Sequence, residues 1–293
     1  MAENKDKVFS NTVINWYPGH MAKARREIKE KIQLIDVVYE VIDSRMPLSS
    51  KISDIDDLLN NKPKILVMTK YDMCDTNETN KIIDYYEKKG NVVVPVDLIS
   101  GNGVSTIIKE TDKIAEKINT DRKKKGMKPR NIRALVIGVP NSGKSTLINK
   151  LVGKKATQTG DKPGVTKQVN WIRVGKNIEL LDSPGILWPK LDNQEYAHNL
   201  AALSSIKEEI VDIEDLSIYI LQKLESLYPL LLEKRYGITK LDSEISNTLD
   251  IIGEKRGALI KGGEIDYNKV YRLIIRDLKE GIIGKVTFDR ITE

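Results

Sequence analysis

Two nucleotide-binding motifs occur in this chain in an order that restricts the folds available to it. Thr69-Lys70-Tyr71-Asp72 matches a guanine-recognition motif, and it precedes a phosphate-binding loop that begins at Gly138. In ordinary small GTPases the phosphate loop comes first. The order found here predicts a nucleotide-binding fold that is circularly permuted, with the cut placed after the segment that senses the γ-phosphate.

The stretch from 138 to 145 fits the phosphate-loop pattern G-x-x-x-x-G-K-[ST] between an apolar strand and a helix-compatible segment. Backbone N–H groups of such a loop surround phosphates at a helix N-terminus, where the helix dipole favours negative charge. Lys144 is predicted to reach the β- and γ-phosphates. A structural glycine turn is the alternative. The predicted phosphate-binding residues are Gly138, Asn141, Ser142, Gly143, Lys144, Ser145 and Thr146, together with Gly185 from a later motif.

The guanine motif follows an apolar strand, and its carboxylate determines which base is bound. Asp72 can accept paired hydrogen bonds from N1–H and N2–H₂ of guanine, whereas adenine offers no such pair. The aliphatic stem of Lys70 can lie over the purine, and the strand before it ends where open α/β sheets place ligand contacts. The predicted guanine-binding residues are therefore Thr69, Lys70 and Asp72. A solvated polar turn is the alternative.

Two departures from the usual guanine site appear in the sequence. Threonine stands at position 69, where asparagine is commoner, which predicts a looser connection to the phosphate loop without affecting Asp72. The segment that contacts guanine O6 is expected at Asp97-Leu98-Ile99-Ser100, by position alone, because the usual Ser-Ala pair is missing.

A third motif, Asp182-Ser183-Pro184-Gly185, follows another apolar strand. An aspartate at a strand end suits Mg²⁺ coordination through water, and the N–H of Gly185 suits the γ-phosphate. Thr166 lies between this motif and the phosphate loop, where it would complete the metal shell when GTP is bound. The predicted Mg²⁺ ligands are Ser145, Thr166 and Asp182.

Hydrophobic patterning predicts an α/β fold. Helix-compatible stretches separate most of the apolar runs, which indicates a mainly parallel sheet covered on both faces, with one antiparallel join near Gly175. Read from the phosphate loop and continued through the first strands, the order is that of a Ras-like sheet. The six predicted strands are Leu34–Ile42, Ile65–Met68, Val92–Val96, Ala134–Ile137, Val169–Val174 and Ile178–Leu181.

After Pro189 the pattern changes to helical period. Amphipathic helices are predicted at Ile213–Tyr228 and Asp266–Glu280. We therefore predict a circularly permuted Ras-like GTPase domain over residues 1–188, with an N-terminal extension at 1–33. A smaller all-helical domain is predicted over 189–293.

Composition is consistent with this division. With 293 residues, 40% of them hydrophobic, the chain is long enough for two domains that each have a core. A single cysteine, Cys74, leaves no disulfide framework and fits a reducing compartment. No stretch approaches the roughly 18 apolar residues of a membrane span, and the N-terminus lacks the apolar core of a signal peptide. We expect a cytoplasmic protein with no membrane partner.

Basic residues are concentrated in the segment 120–133. It carries seven basic residues and one acidic residue, so its net charge of +6 equals the excess of the whole chain. A second basic face is predicted on the helix 266–280, formed by Lys269, Arg272, Arg276 and Lys279. Each could be a solvated surface or a contact with nucleic-acid phosphates, and the sequence leaves both interpretations open.

These motifs resemble the YlqF-related circularly permuted GTPases, the ribosome biogenesis GTPase A family. The resemblance also rests on the N-terminal segment Trp16-Tyr17-Pro18-Gly19-His20-Met21 and on Gly253-Glu254-Lys255-Arg256-Gly257, and it spans nearly the whole chain. It implies GTP hydrolysis, with a low intrinsic turnover stimulated by the 50S subunit, coupled to late assembly of that subunit. The implied partners are GTP or GDP, 23S rRNA contacted by the helical domain, and ribosomal proteins.

The resemblance also implies how hydrolysis is catalysed. Ile186 follows Gly185 where Ras-type enzymes place the glutamine that orients the attacking water, and isoleucine cannot do so. In the family this role belongs to the histidine of the N-terminal motif, here His20. The helix dipole disfavours its protonation and a nearby γ-phosphate favours it, so its charge stays open. Alternatively, the segment 16–21 binds RNA or packs the N-terminus. Asn141 is implied as a ligand of an activating K⁺.

Other functions remain in competition. An RNA-binding GTP switch that acts on another RNA or particle, with little hydrolysis of its own, is the nearest alternative. A metabolic ATPase or nucleotide kinase would not need the carboxylate of Asp72. An RNA-binding protein with a vestigial nucleotide fold would not need Lys144.

Overall fold

The computed structural model describes residues 13–153, 170–175, 177–187 and 191–291. The chain forms two compact units. The sheet unit comprises Trp16–Lys190 and Lys285–Glu293, and the helical unit comprises Met1–Asn15 and Leu191–Gly284. The chain therefore passes three times from one unit to the other.

The division differs from the sequence prediction in two segments: Ile14 and Asn15, predicted within the extension of the GTPase domain, lie in the helical unit, and the last segment differs as well. The sequence placed residues 285–293 in the helical domain, whereas Val286 and Phe288 are buried in the sheet unit. The element that precedes them in sequence is a helix, so the sequence pattern does not predict this burial. It depends on contacts with residues that are distant in sequence. The boundary predicted after residue 188 stays a prediction.

In the described residues, six strands form the sheet. They are β1 Val37–Asp43, β2 Lys64–Thr69, β3 Val92–Pro95, β4 Ile132–Gly138, β5 Asn170–Val174 and β6 Ile178–Asp182. Their order is β3-β2-β1-β4-β6-β5, and every pair is parallel except β5 with β6. The six-stranded, mostly parallel sheet is thus confirmed. β1 begins three residues later than predicted because Ile32–Leu34 forms a 3₁₀ turn, closed by Ile35 N–H donating to Ile32 O.

Helices cover both faces of this sheet, so alternate residues of its central strands enter two separate cores. Val41 and Val67 belong to one core, and Ile42 and Leu66 belong to the other. Because neither face meets water, β1 is buried along its whole length. The helices of the sheet unit are α1 Gly19–Lys31, α2 Ile55–Leu59, α3 Thr76–Lys88, α4 Val104–Lys124 and α5 Lys144–Val152.

The helical unit has its own core. Its helices are α6 Gln194–Ala202, α7 Ile213–Leu227, α8 Pro229–Tyr236, α9 Ile245–Arg256 and α10 Tyr267–Lys279. The two amphipathic predictions are confirmed by α7 and α10. On α10, Val270, Ile274 and Leu278 are buried, while the buried carboxylate of Asp277 pairs with Arg235 at 2.6 Å. In the described part of the chain, no helix is long and apolar enough to cross a membrane.

The sheet topology brings the predicted motifs together. Parallel strands end at the same edge of a sheet, and this edge is where ligands bind in open α/β folds. β1 lies between β2, which carries the guanine motif at its end, and β4, which leads into the phosphate loop. The residues that follow β1 are therefore placed between the two halves of the predicted nucleotide site.

Candidate nucleotide site

The phosphate loop connects β4 to α5 and is held close to the end of β1. A Cβ atom at Gly138 would lie 2.3 Å from the carbonyl oxygen of Val41, so no larger residue fits there. Gly143 precedes α5 with a φ of +94°, a conformation that favours glycine. Lys144 is buried and its Nζ donates to the carbonyl oxygen of Val139 at 2.8 Å. These contacts make the loop compact.

Buried charges on the phosphate side are incompletely compensated. Burial lowers the pKa of Lys144 to about 8, against the opposing effect of Asp182. Burial also raises the pKa of Asp182 to about 6, against the effects of Lys144 and the Ser183 N–H. Oδ1 of Asp182 and Oγ of Ser142 are buried and have no hydrogen-bond partner among the described residues. Unpaired buried polar atoms are rare in proteins, and here they indicate a polar ligand.

The predicted Mg²⁺ ligands fit a hydrated cation in part. Mg²⁺ is bound through one or two oxygen ligands plus phosphates and water, and the unpaired Oδ1 of Asp182 is such an oxygen. Ser145 is half-buried in the first turn of α5, beside Lys144. Thr166 lies outside the described residues.

The guanine motif is hydrogen-bonded to the phosphate loop. Oγ1 of Thr69 donates to the carbonyl oxygen of Ser142 at 2.6 Å, and Nζ of Lys70 donates to that of Asn141 at 3.0 Å. The threonine hydroxyl therefore reaches the loop, and a connection looser than that of an asparagine stays a prediction. Lys70 and Asn141 both have positive φ, near 60°, which is uncommon outside glycine and typical of constrained functional segments.

The remaining purine-contacting candidates are held at the same edge. Asp72 is half-buried in a 3₁₀ turn, Tyr71–Met73, which is fixed to the end of β3 by Tyr71 N–H donating to Val96 O at 3.3 Å. The carboxylate of Asp97 accepts from the amides of Ile99 and Ser100. Nζ of Lys150 on α5 donates to Ile99 O at 3.1 Å. The segment 97–100 is therefore joined to the helix that follows the phosphate loop.

Asp43 and Arg45 were missed by sequence reasoning. Both side chains are fully buried, and the Asp43 carboxylate accepts from Nε and Nη2 of Arg45 at 3.0 and 2.9 Å. Nζ of Lys70 lies 2.9 Å from the same carboxylate. Burial alone would raise the pKa of Asp43, but Arg45 and Lys70 outweigh it and hold that pKa well below its usual range. The available signal was an aspartate at the end of a buried strand, as for Asp182.

His20 and Ile186 have contrasting environments. His20 is the second residue of α1 and is exposed, with Pro18 at the N-cap. Ile186 is fully buried, and its N–H donates to Gly138 O at 3.1 Å. Gly185 packs so closely on the phosphate loop that a Cβ atom would lie 2.8 Å from Pro140 Cα. The side chain of Ile186 therefore belongs to the core and cannot orient a water.

Comparisons with known proteins identify the family of this chain. Residues 133–260 match a family described as 50S ribosome-binding GTPase. The chain is 45% identical to ribosome biogenesis GTPase A of Bacillus licheniformis, over 95% of this chain and 98% of that protein. The chain belongs to the ribosome biogenesis GTPase A family.

Solved structures show the same architecture with nucleotide bound. GNP-bound YlqF from T. maritima is 27% identical with a TM-score of 0.66, covering 92% of this chain and 98% of that one. The GDP-bound form has a TM-score of 0.63 at 27% identity, covering 90% and 99%. The chain is therefore a GTP hydrolase that binds GTP and GDP. The likeness to YlqF also confirms the circularly permuted fold predicted from the order of the motifs.

Proposed function

We propose that this GTPase acts in late assembly of the large ribosomal subunit in the cytoplasm, and that its GTP state controls binding to pre-50S particles and release from them. Support comes from family membership and from the description of the matching family as 50S ribosome-binding. The proposed partners are 23S rRNA and ribosomal proteins of that subunit.

The observation that carries the nucleotide assignment is the pair of hydrogen bonds from Thr69 and Lys70 to the phosphate loop. These bonds make the base motif and the phosphate motif one site. In this site Asp72 recognises guanine and Lys70 lies against the purine. The backbone from 141 to 146 and the Gly185 N–H bind the phosphates.

Catalysis would depend on charge stabilisation and on a positioned water. A bound Mg²⁺ would neutralise charge on the β- and γ-phosphates, held by Ser145, Asp182 and Thr166. Lys144 binds the same phosphates, whose negative charge favours its protonated form. Because Ile186 is buried, water must be oriented from elsewhere, and we assign this role to His20. Asn141 would hold the activating K⁺.

RNA binding is supported by exposed basic residues in both units. In the segment 120–133, Arg130 pairs with Asp36 and Arg133 with Glu179, which leaves the lysines that precede Arg130 to define the exposed charge. Basic side chains attract RNA phosphates through the release of counterions. The exposed residues concerned are Lys123, Lys125 and Lys128 in the sheet unit, and Lys255, Lys261 and Lys269 in the helical unit, where Arg272 pairs with Glu208 and Arg276 with Asp277.

The decisive experiment measures GTP turnover with and without purified 50S subunits. We expect stimulation of the wild type and its loss in His20→Ala, by about 10²-fold or more if the imidazole orients the water. Lys23→Ala, one turn further along α1 and also off the core face of that helix, is the matched control and should retain stimulation. Absence of stimulation in the wild type would favour the RNA-binding GTP switch with little hydrolysis. If 50S subunits still stimulate His20→Ala, His20 does not orient the attacking water.

The potassium role is tested by comparing turnover in matched KCl and NaCl. Asn141→Gly is the informative variant, because glycine tolerates the positive φ at this position and removes only the amide side chain. We expect K⁺ to accelerate the wild type about tenfold or more and to have no effect on the variant. Equal rates in the two salts for the wild type would contradict the assignment.

A further inference from the structure

The last described residues, 285–291, which we call the C-terminal tail, are built into the sheet unit. Four consecutive side chains, from Val286 to Asp289, are buried although the segment is neither helix nor strand. Thr287 and Asp289 are polar, and the large majority of buried polar groups in proteins are hydrogen-bonded. Their partners therefore show what the tail holds in place.

Asp289 binds the loop that follows β1, residues 44–50, which we call the β1 loop. Its Oδ2 accepts from the amides of Leu48 and Ser49 at 2.7 and 2.8 Å, and its Oδ1 accepts from Ser49 Oγ at 2.5 Å. The N–H of Phe288 donates to Arg45 O at 2.9 Å. One carboxylate and one amide of the tail thus fix both halves of this loop.

The β1 loop in turn positions the residues of the guanine motif. Nε and Nη2 of Arg45 donate to the carboxylate of Asp43, and the same carboxylate pairs with Nζ of Lys70. The Ser44 N–H also donates to Thr69 O at 2.9 Å. The tail therefore reaches the guanine motif from its N-terminal side.

The tail also reaches the other side of the motif directly. The N–H of Val286 donates to Met73 O at 3.3 Å, next to Asp72. Oγ1 of Thr287 accepts from the Asp75 amide at 3.2 Å and lies 2.8 Å from Thr79 Oγ1. Both ends of the segment that carries Asp72 are consequently bonded to the tail or to residues that the tail holds.

We propose that the C-terminal tail is a positioning element of the guanine site, in which Asp289 holds the β1 loop and residues 286–287 hold the turn that carries Asp72. The tail contacts these two loops, through which it acts on base recognition. The inference rests on the proposed contact of Asp72 with guanine.

The test compares Asp289→Asn with a control that removes the same kind of contact elsewhere. Asp212 caps two amides, those of Glu214 and Asp215, at the start of α7 in the helical unit. Asp289→Asn is expected to raise the dissociation constant for GDP about tenfold. Asp212→Asn should leave it within about twofold, because that carboxylate has no connection to the base.

Discrimination between bases separates positioning from general loosening. Inosine diphosphate lacks the N2 amino group that Asp72 would accept from, so its affinity relative to GDP reports on that contact. In Asp289→Asn the preference for GDP over inosine diphosphate should fall toward one. An unchanged dissociation constant together with an unchanged preference would overturn the proposal.

If Asp289→Asn does not fold, hydrogen exchange in the wild-type protein tests the role of the tail instead. Linkage is reciprocal, so a tail that favours GDP binding must itself be stabilised by GDP. The amides of Leu48, Ser49 and Phe288 should exchange more slowly with GDP bound. Equal exchange in both states would contradict the inference.

A separate variant tests the base contact on which the inference rests. Asp72→Asn presents an amide that can donate to the C2 carbonyl of xanthine, so preference should move from GDP to xanthosine diphosphate. Failure of this switch would refute the contact of Asp72, whatever Asp289 does. A successful switch with a silent Asp289→Asn would refute the role of the tail alone.

Discussion

Asp43 and Asp182 end two strands of the same sheet, with only β4 between those strands, yet their carboxylates have opposite surroundings. Asp43 accepts from Arg45 and pairs with Lys70, and its pKa is held well below the usual range despite burial. Asp182 keeps one oxygen unpaired among the described residues, and burial raises its pKa to about 6. On the guanine side of the site, which we call the base side, the folded protein itself pairs the buried carboxylate. On the phosphate side, a bound ligand would pair the carboxylate of Asp182.

The largest expected effect is on the stability of the base side. Asp43→Ala leaves Arg45 buried without its carboxylate, which should lower the free energy of unfolding by about 3–5 kcal/mol in a denaturant titration. Glu110→Gln breaks an exposed pair with Lys113, 2.7 Å long, and should change it by no more than about 0.5 kcal/mol. If the two substitutions lower the free energy of unfolding equally, the ion pairs of Asp43 do not stabilise the base side.

On the phosphate side, a substitution should lower activity and leave the stability of the protein almost unchanged. Lys144→Met is expected to lower kcat/KM for GTP about 10²–10³-fold, because a donor to the transferring phosphate is lost. The unfolding free energy of the nucleotide-free protein should hardly fall, since the substitution removes a desolvated cation whose pKa burial lowers. A loss of stability as large as that of Asp43→Ala would abolish the contrast between the two sides.

The smallest expected effect lies where the two sides meet. Thr69→Val removes the hydroxyl bonded to Ser142 O and leaves a buried acceptor unpaired, at a cost of about 1–2 kcal/mol in thermal or chemical unfolding. Thr69→Ser keeps the hydroxyl and should recover most of this loss. If the valine variant is as stable as the wild type, the connection between the motifs is carried by Lys70 alone.

The sequence predicted those features that depend on local patterns. Apolar runs located all six strands, and helical period located α7 and α10, because burial imposes these periods on neighbouring residues. The phosphate loop and Asp182 follow the same logic, since both stand directly after buried strands. The start of β1 was misplaced because the apolar residues Leu34 and Ile35 lie at the end of a 3₁₀ turn, where periodicity does not distinguish strand from turn.

The contacts that sequence reasoning missed are those between distant positions. Asp43 meets Lys70 only because β1 and β2 are neighbours, and Asp289 meets Ser49 across 240 positions. The polar run from 43 to 45 reads as an ordinary loop without knowledge of strand order. A threonine at position 69 likewise gives no indication that its hydroxyl reaches Ser142.

The burial of residues 286–289 in the sheet unit has a consequence for biosynthesis. Chains are made from the N-terminus, and domains fold as units when their residues become available. Here every nucleotide motif is synthesised long before the segment that holds the β1 loop through Asp289. The sheet unit can be completed only after residues 286–289 have been synthesised, so a chain that stops before them would contain all of these motifs and still lack a finished fold.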